Sequence, residues 1–129
     1  MGERDTTLTA AEWRVMECLW EQAPLSGREL TERMHGLCGW SRSTTLTLLS
    51  RMEAKGAIVG SSDGGKKRFS PLVRREDMAL RETEDFLSRV YKGSLSMLVS
   101  SFTRKQPLSE KERDELYAIL KEWEAGRDG

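Results

Sequence analysis

One histidine, two cysteines and three prolines are all that a chain of 129 residues offers of those types. The scarcity excludes a good deal of chemistry. With His35 the only imidazole, no Ser/His/Asp set can be assembled, and neither a metal-ligand cluster nor a phosphate-cradling loop stands in the sequence. Acid pairs such as Glu84-Asp85 are neighbours on a charged helix face, the usual solvated pattern. No enzyme, metal or cofactor is therefore expected. His35 falls near the end of a helix and suits a surface or dipole contact better than a catalytic base. Cys18 and Cys38 sit in apolar helical contexts, which favours packing over redox chemistry and fits a reduced, cytoplasmic protein. No apolar run approaches the roughly 18–20 residues that a membrane span needs, so no membrane insertion is expected. The N-terminus, MGERDTTLTA, lacks the apolar core of a secretory signal.

Net charge is absent too: Lys+Arg and Asp+Glu both total 21. Its distribution is uneven. Residues 39–72 hold six basic side chains (Arg42, Arg51, Lys55, Lys66, Lys67, Arg68) against Glu53 and Asp63, a surplus of +4. The flanks, 1–38 and 73–129, carry −3 and −1. One basic segment inside a neutral chain is a footprint expected of a nucleic-acid binder, although a solvated patch has the same charge.

The elements follow from apolar period and punctuation. Thr9 with Glu12 forms a capping box ahead of Trp13, Val15, Met16, Leu19 and Trp20, a helical stripe that stops before Pro24. Ser26 with Glu29 opens a second helix, with Leu30, Met34 and Leu37 on one face and Gly36 as its expected stop. Ser41 caps a third that ends at Gly56. Ala57-Ile58-Val59, the turn residues Ser61–Gly65, and Lys67–Ser70 read as a hairpin with a basic return strand. Three more helices follow, divided at Gly93 and Pro107; Ser109 with Glu112 opens the last. Gly126 ends it, and the tail Arg127-Asp128-Gly129 is expected to fray. Three helices plus a β-hairpin predict a winged helix-turn-helix, so the chain is mainly α.

The third helix carries the functional signal. Thr45, Leu48, Leu49 and Met52 mark a core face. The opposite face holds Arg42, Ser43, Leu46, Thr47 and Ser50, with Thr44 and Arg51 on a flank and no acid before Glu53. Short hydroxyls let a helix approach phosphates, arginine reaches guanine edges, and leucine or a threonine methyl meets a thymine methyl. The candidate DNA-binding set is therefore Arg42, Ser43, Thr44, Leu46, Thr47 and Arg51, with Lys66, Lys67 and Arg68 of the wing. A winged-helix module that binds a protein instead of DNA is the competing reading, favoured by net neutrality.

Four stretches, LTAAEWRVMECLWE, GWSRSTTLTLLSRMEAKGAI, FSPLV and ETEDFLSRVYKGSLSMLVSSF, resemble the penicillinase-repressor family (BlaI/MecI/CopY) of winged-helix transcriptional regulators. The resemblance runs from about Leu8 to Trp123. It implies a DNA-binding domain over 1–72 and a helical dimerisation domain over 73–129. It also implies repression of β-lactam resistance or related stress genes through a palindromic operator on double-stranded DNA. The C-terminal stripes expected to pair across a homodimer are Phe86, Val90, Leu95, Leu98, Val99, Phe102, Leu116, Leu120 and Trp123. Three departures stand out. Leu46 occupies a position where the family often has Lys or Arg. No cysteine-rich copper motif follows Trp123. Ser101-Phe102 replaces the Asn–Phe pair cut during induction in β-lactam repressors, which makes it the candidate cleavage site for a membrane sensor-protease.

Overall fold

A computed structural model describes residues 7–128. Gly129 lies outside the described residues, as do residues 1–6, on which most of the expectation about a secretory signal rests. The elements are α1 (Ala10–Glu21), β1 (Leu25–Ser26), α2 (Gly27–Cys38), α3 (Arg42–Lys55), β2 (Ile58–Asp63), β3 (Lys66–Pro71), α4 (Arg75–Tyr91), α5 (Leu95–Lys105) and α6 (Glu110–Asp128). The three strands form one antiparallel sheet in the order β1-β3-β2.

Each of the first three helices starts where its hydroxyl residue can satisfy an otherwise unpaired N–H. Thr9 Oγ1 accepts from Glu12 N at 3.2 Å, and Glu12 Oε1 accepts from Thr9 N at 2.8 Å. Ser26 and Glu29 repeat the exchange at 3.1 and 2.8 Å. Ser41 Oγ accepts from Thr44 N at 3.2 Å. At the other end, α2 runs through Gly36 and stops at Gly39, whose φ of 72° provides the left-handed cap. Gly36 is therefore not the stop that its position suggested. Leu37, expected on the apolar stripe, is 70% exposed, while Leu30 and Met34 are fully buried. At the chain's end, α6 likewise passes through Gly126.

The hairpin is longer than its sequence implied. Ser61–Asp63 and Lys66 are strand, and the turn is Gly64-Gly65 alone, at φ 61° and 85°. Positive φ at both central residues matches the right-handed twist of the strands, and glycine supplies it without steric cost. The short β1 had no sequence signal; Leu25 pairs with Phe69 and closes the sheet over the core.

That core is built from Val15, Met16 and Leu19 of α1, Leu30 and Met34 of α2, Leu48, Leu49 and Met52 of α3, and Ile58 and Phe69 of the hairpin. Met78 of α4 joins them. Thr45 is also fully buried, as the helical wheel required, and its Oγ1 has no hydrogen-bond partner among the described residues. Such an orphan hydroxyl costs roughly 1–3 kcal/mol.

The chain divides into two compact units after Glu82, within α4. The first unit extends past Leu72, the expected end of the DNA-binding segment, because residues 73–78 are tied to α1. Trp20 Nε1 donates to Val73 O at 2.9 Å, and Arg75 makes a two-pronged pair with Glu17 at 2.9 and 3.0 Å. Hydrogen bonding from Arg75 holds the Glu17 carboxyl below its ordinary range.

The second unit consists of the end of α4 with α5 and α6. Lys92 and Gly93, both at positive φ, break α4 from α5, and Ser94 caps the restart by accepting from Met97 N at 3.1 Å. None of its described residues is buried.

Candidate nucleic-acid interface

In α3 the two faces separate as amphipathicity requires. Thr45, Leu48, Leu49 and Met52 are buried, whereas Arg42, Ser43, Thr44, Leu46, Thr47, Ser50 and Arg51 are exposed. The exposed side of the N-terminal half thus presents hydroxyls and an arginine in one surface. In the first turn Ser41 Oγ also donates to Thr44 Oγ1 at 2.9 Å and lies 3.2 Å from Ser43 Oγ. This hydroxyl chain absorbs the Thr44 N–H, so the donors the first turn can offer an anion are the N–H groups of Arg42 and Ser43.

Leu46 is 38% exposed rather than fully projecting. Its Cδ2 lies where a Cβ on Gly27 would be 3.7 Å away, so the leucine leans on the start of α2. A groove between the two helix starts is lined by Gly27, Arg28, Thr31, Glu32, Arg42 and Leu46. Arg28 and Thr31 were not anticipated. Their only sequence signal is their place in the first turns of the helix that precedes α3.

The wing separates its basic residues by strand alternation. Phe69 is buried, and Lys67, two residues before it, shares its face. Lys67 Nζ lies 5.4 Å from the Phe69 ring centroid and donates to Glu53 Oε1 at 2.9 Å. Lys66 and Arg68 point to the other face, and Arg68 is half-buried. Among the described residues, Arg42, Arg51 and Arg68 make no ion pair. Glu53, the only acid on α3, is the partner of Lys67. The exposed side of the helix is therefore left with uncompensated positive charge.

The far end of α3 is anchored to α1. Lys55 Nζ donates to Glu12 Oε1 at 2.8 Å and to Thr7 O at 2.8 Å. Glu12 is only 2% exposed. Burial pushes its carboxyl up, but the hydrogen bonds from Lys55 and Thr9 outweigh that, and the net shift is downward. His35 is exposed in the last turn of α2, with Nδ1 3.2 Å from Trp40 O. Cys18 is buried with Sγ 3.8 Å from Met34 Sδ, and Cys38 is half-buried; both thiols are free. Among the described residues, no group of three His, Cys, Asp or Glu could hold a metal ion. No described helix is long and apolar enough to cross a membrane.

The stripes expected to mediate dimerisation lie mostly in the open. Phe86, Val90, Leu95, Val99, Phe102, Leu116, Leu120 and Trp123 are exposed, Phe102 by 67%; Leu98 is half-buried. Phe86 makes an edge contact with Tyr91, and Arg127 covers part of Trp123. Ser101 and Phe102 sit exposed in the middle of α5.

Comparison with known proteins agrees with the fold. The methicillin resistance regulatory protein MecI of Staphylococcus aureus (strain N315) is 32% identical over 120 residues, 93% of this chain and 98% of that protein. The penicillinase repressor of Bacillus licheniformis is 30% identical over 115 residues, 89% of this chain and 90% of the relative. Among solved structures, the DNA binding domain of the repressor BlaI superimposes with a TM-score of 0.53 at 25% identity, covering 60% of this chain and 93% of that one. The monomeric form of Bacillus licheniformis BlaI in complex with the blaP half-operator gives 0.50 at 26%, covering 54% and 85%. The fold is thus a winged helix-turn-helix followed by helices, and a sequence profile described as penicillinase repressor matches residues 8–122. The chain belongs to the penicillinase repressor family.

Proposed function

We propose that the protein is a homodimeric transcriptional repressor that binds a palindromic operator with α3 in the major groove. The observation that carries this reading is the exposed side of α3. It offers hydroxyls, Arg42 and Arg51, and its single acid is neutralised by Lys67. In this reading Arg42, Ser43, Thr44, Leu46 and Thr47 meet base edges and the nearest phosphates. Arg51, Lys66 and Arg68 meet the backbone. The relatives named for methicillin resistance and penicillinase control support antibiotic-resistance genes, those against β-lactams in particular, as the regulated targets.

One winged helix makes few base contacts, and two heads on one palindrome roughly add their binding energies. The open stripes of α4, α5 and α6 support pairing with a second copy, because exposed apolar area of this extent calls for a partner. Repression then follows from occlusion of a promoter. Cleavage at Ser101–Phe102 by a membrane sensor-protease would detach α6 and the last turn of α5, weakening the dimer while sparing α3.

The test is a salt titration on a duplex selected from a random pool by the protein itself. Affinity is expected to fall steeply with salt as phosphate contacts release counterions. Arg42→Ala is expected to cost about 1–3 kcal/mol on that duplex. Flat salt dependence, or failure to select any duplex, would favour the protein-binding module instead. An Arg42→Ala variant with unchanged affinity removes that residue from the reading set.

A further inference from the structure

Resting on the DNA-binding reading, we infer that Lys67 is a positioning residue. With Glu53 and Gly60 it locks the wing to the recognition helix, and it does not contact DNA. Three observations converge. The first is the ion pair: Lys67 Nζ donates to Glu53 Oε1 at 2.9 Å, joining β3 to the last turn of α3. The second is the direction of the side chain. Lys67 shares the face of the buried Phe69 and covers its ring, while Lys66 and Arg68 take the opposite face. The third is Gly60. It sits opposite Phe69 in the register, diagonal to Lys67. A Cβ there would overlap Lys67 Cε and stand 3.0 Å from Glu53 Oε2. Gly60 is not among the glycines at positive φ, so its backbone does not demand glycine. The lysine stem crosses the strand where the side chain is missing, and a methyl there displaces the lysine.

The lock has a consequence for binding. A two-stranded wing held only by its ladder can pivot about its base. Fixing β3 to α3 sets the distance between the arginines of the helix and Lys66 and Arg68. The pair is partly solvated, so its effect on affinity is modest, about two- to five-fold.

Three variants are compared: Lys67→Met, Glu53→Gln and Gly60→Ala. The last retains both charges while displacing the lysine. A charge reversal, Glu53→Lys with Lys67→Glu, is the rescue. Binding and its salt slope are measured on the selected duplex, and amide hydrogen exchange of β2 and β3 is measured on the free protein. Exchange in the hairpin should quicken in all three variants and return toward the original rate in the reversal. Affinity should fall two- to five-fold in each, without additivity between Lys67→Met and Glu53→Gln, and with an unchanged salt slope. A salt slope reduced by about one for Lys67→Met alone, with Glu53→Gln neutral or tighter, would make Lys67 a phosphate contact and overturn the inference. Unchanged exchange in every variant would overturn it too. Exchange does not depend on DNA, so loss of the DNA-binding reading leaves that arm intact.

Discussion

Phe102→Asp is expected to turn the protein into monomers. Phe102 is 67% exposed in one copy of the chain, so the substitution removes little from the monomer's own packing. In the proposed dimer the same ring is covered by the partner. Burying a phenylalanine contributes about 2 kcal/mol, and two-fold symmetry counts each substitution twice, giving roughly 4 kcal/mol, or about a thousand-fold in dissociation constant. Leu98 is a poorer probe, because it is already half-buried within one copy of the chain. Sedimentation of the variant should give a single 14.7 kDa species at concentrations where the parent is double that mass. Helical content by circular dichroism should be retained. An intact dimer carrying Phe102→Asp would remove α5 from the interface.

Lys55→Met is expected to destabilise the N-terminal unit by about 3 kcal/mol, the usual effect of stranding one member of a buried ion pair. Glu12 cannot turn to water: it is 2% exposed and already engaged by the Thr9 N–H. For a unit of this size the melting temperature should fall by roughly 15 °C. The effect depends on pH with a definite sign. In the parent, the Glu12 carboxyl is held below its ordinary value of 4.5 once Lys55 and Thr9 have offset burial. Its contribution is therefore full above that value and lost as pH falls through the lowered one. In the variant, burial is no longer offset by Lys55, and protonation relieves the penalty. The stability gap between the two proteins should be widest near neutrality and narrow below pH 4.5. A gap that does not vary with pH would mean that Lys55 acts only through its bond to Thr7 O.

Much of the first unit was legible because its signals are local. Thr9, Ser26 and Ser41 each announce a helix within four residues, and α3 exposes the face that its wheel assigned. What was not legible depends on partners distant in sequence. Gly36 and Gly39 are equally able to stop a helix, and the choice is made by where α3 must begin. Two residues of β1 carry no period; pairing with Phe69 makes them a strand. Lys66, Lys67 and Arg68 read as one basic run, yet the sheet divides them according to the phase of Phe69. Glu12 was recognisable as a cap, but its partner Lys55 lies 43 positions away. Val73 and Arg75 join the first compact unit through Trp20 and Glu17, partners more than fifty positions away.

The most direct measurement is methylation protection of guanine N7 on the selected duplex. That atom lies in the major groove, beside the O6 that arginine pairs with. The account predicts protected guanines in two symmetric half-sites about one helical turn apart, weakened in both by Arg42→Ala. Undiminished N7 reactivity under saturating protein, with only the sugar-phosphate backbone or the minor groove shielded, would contradict it.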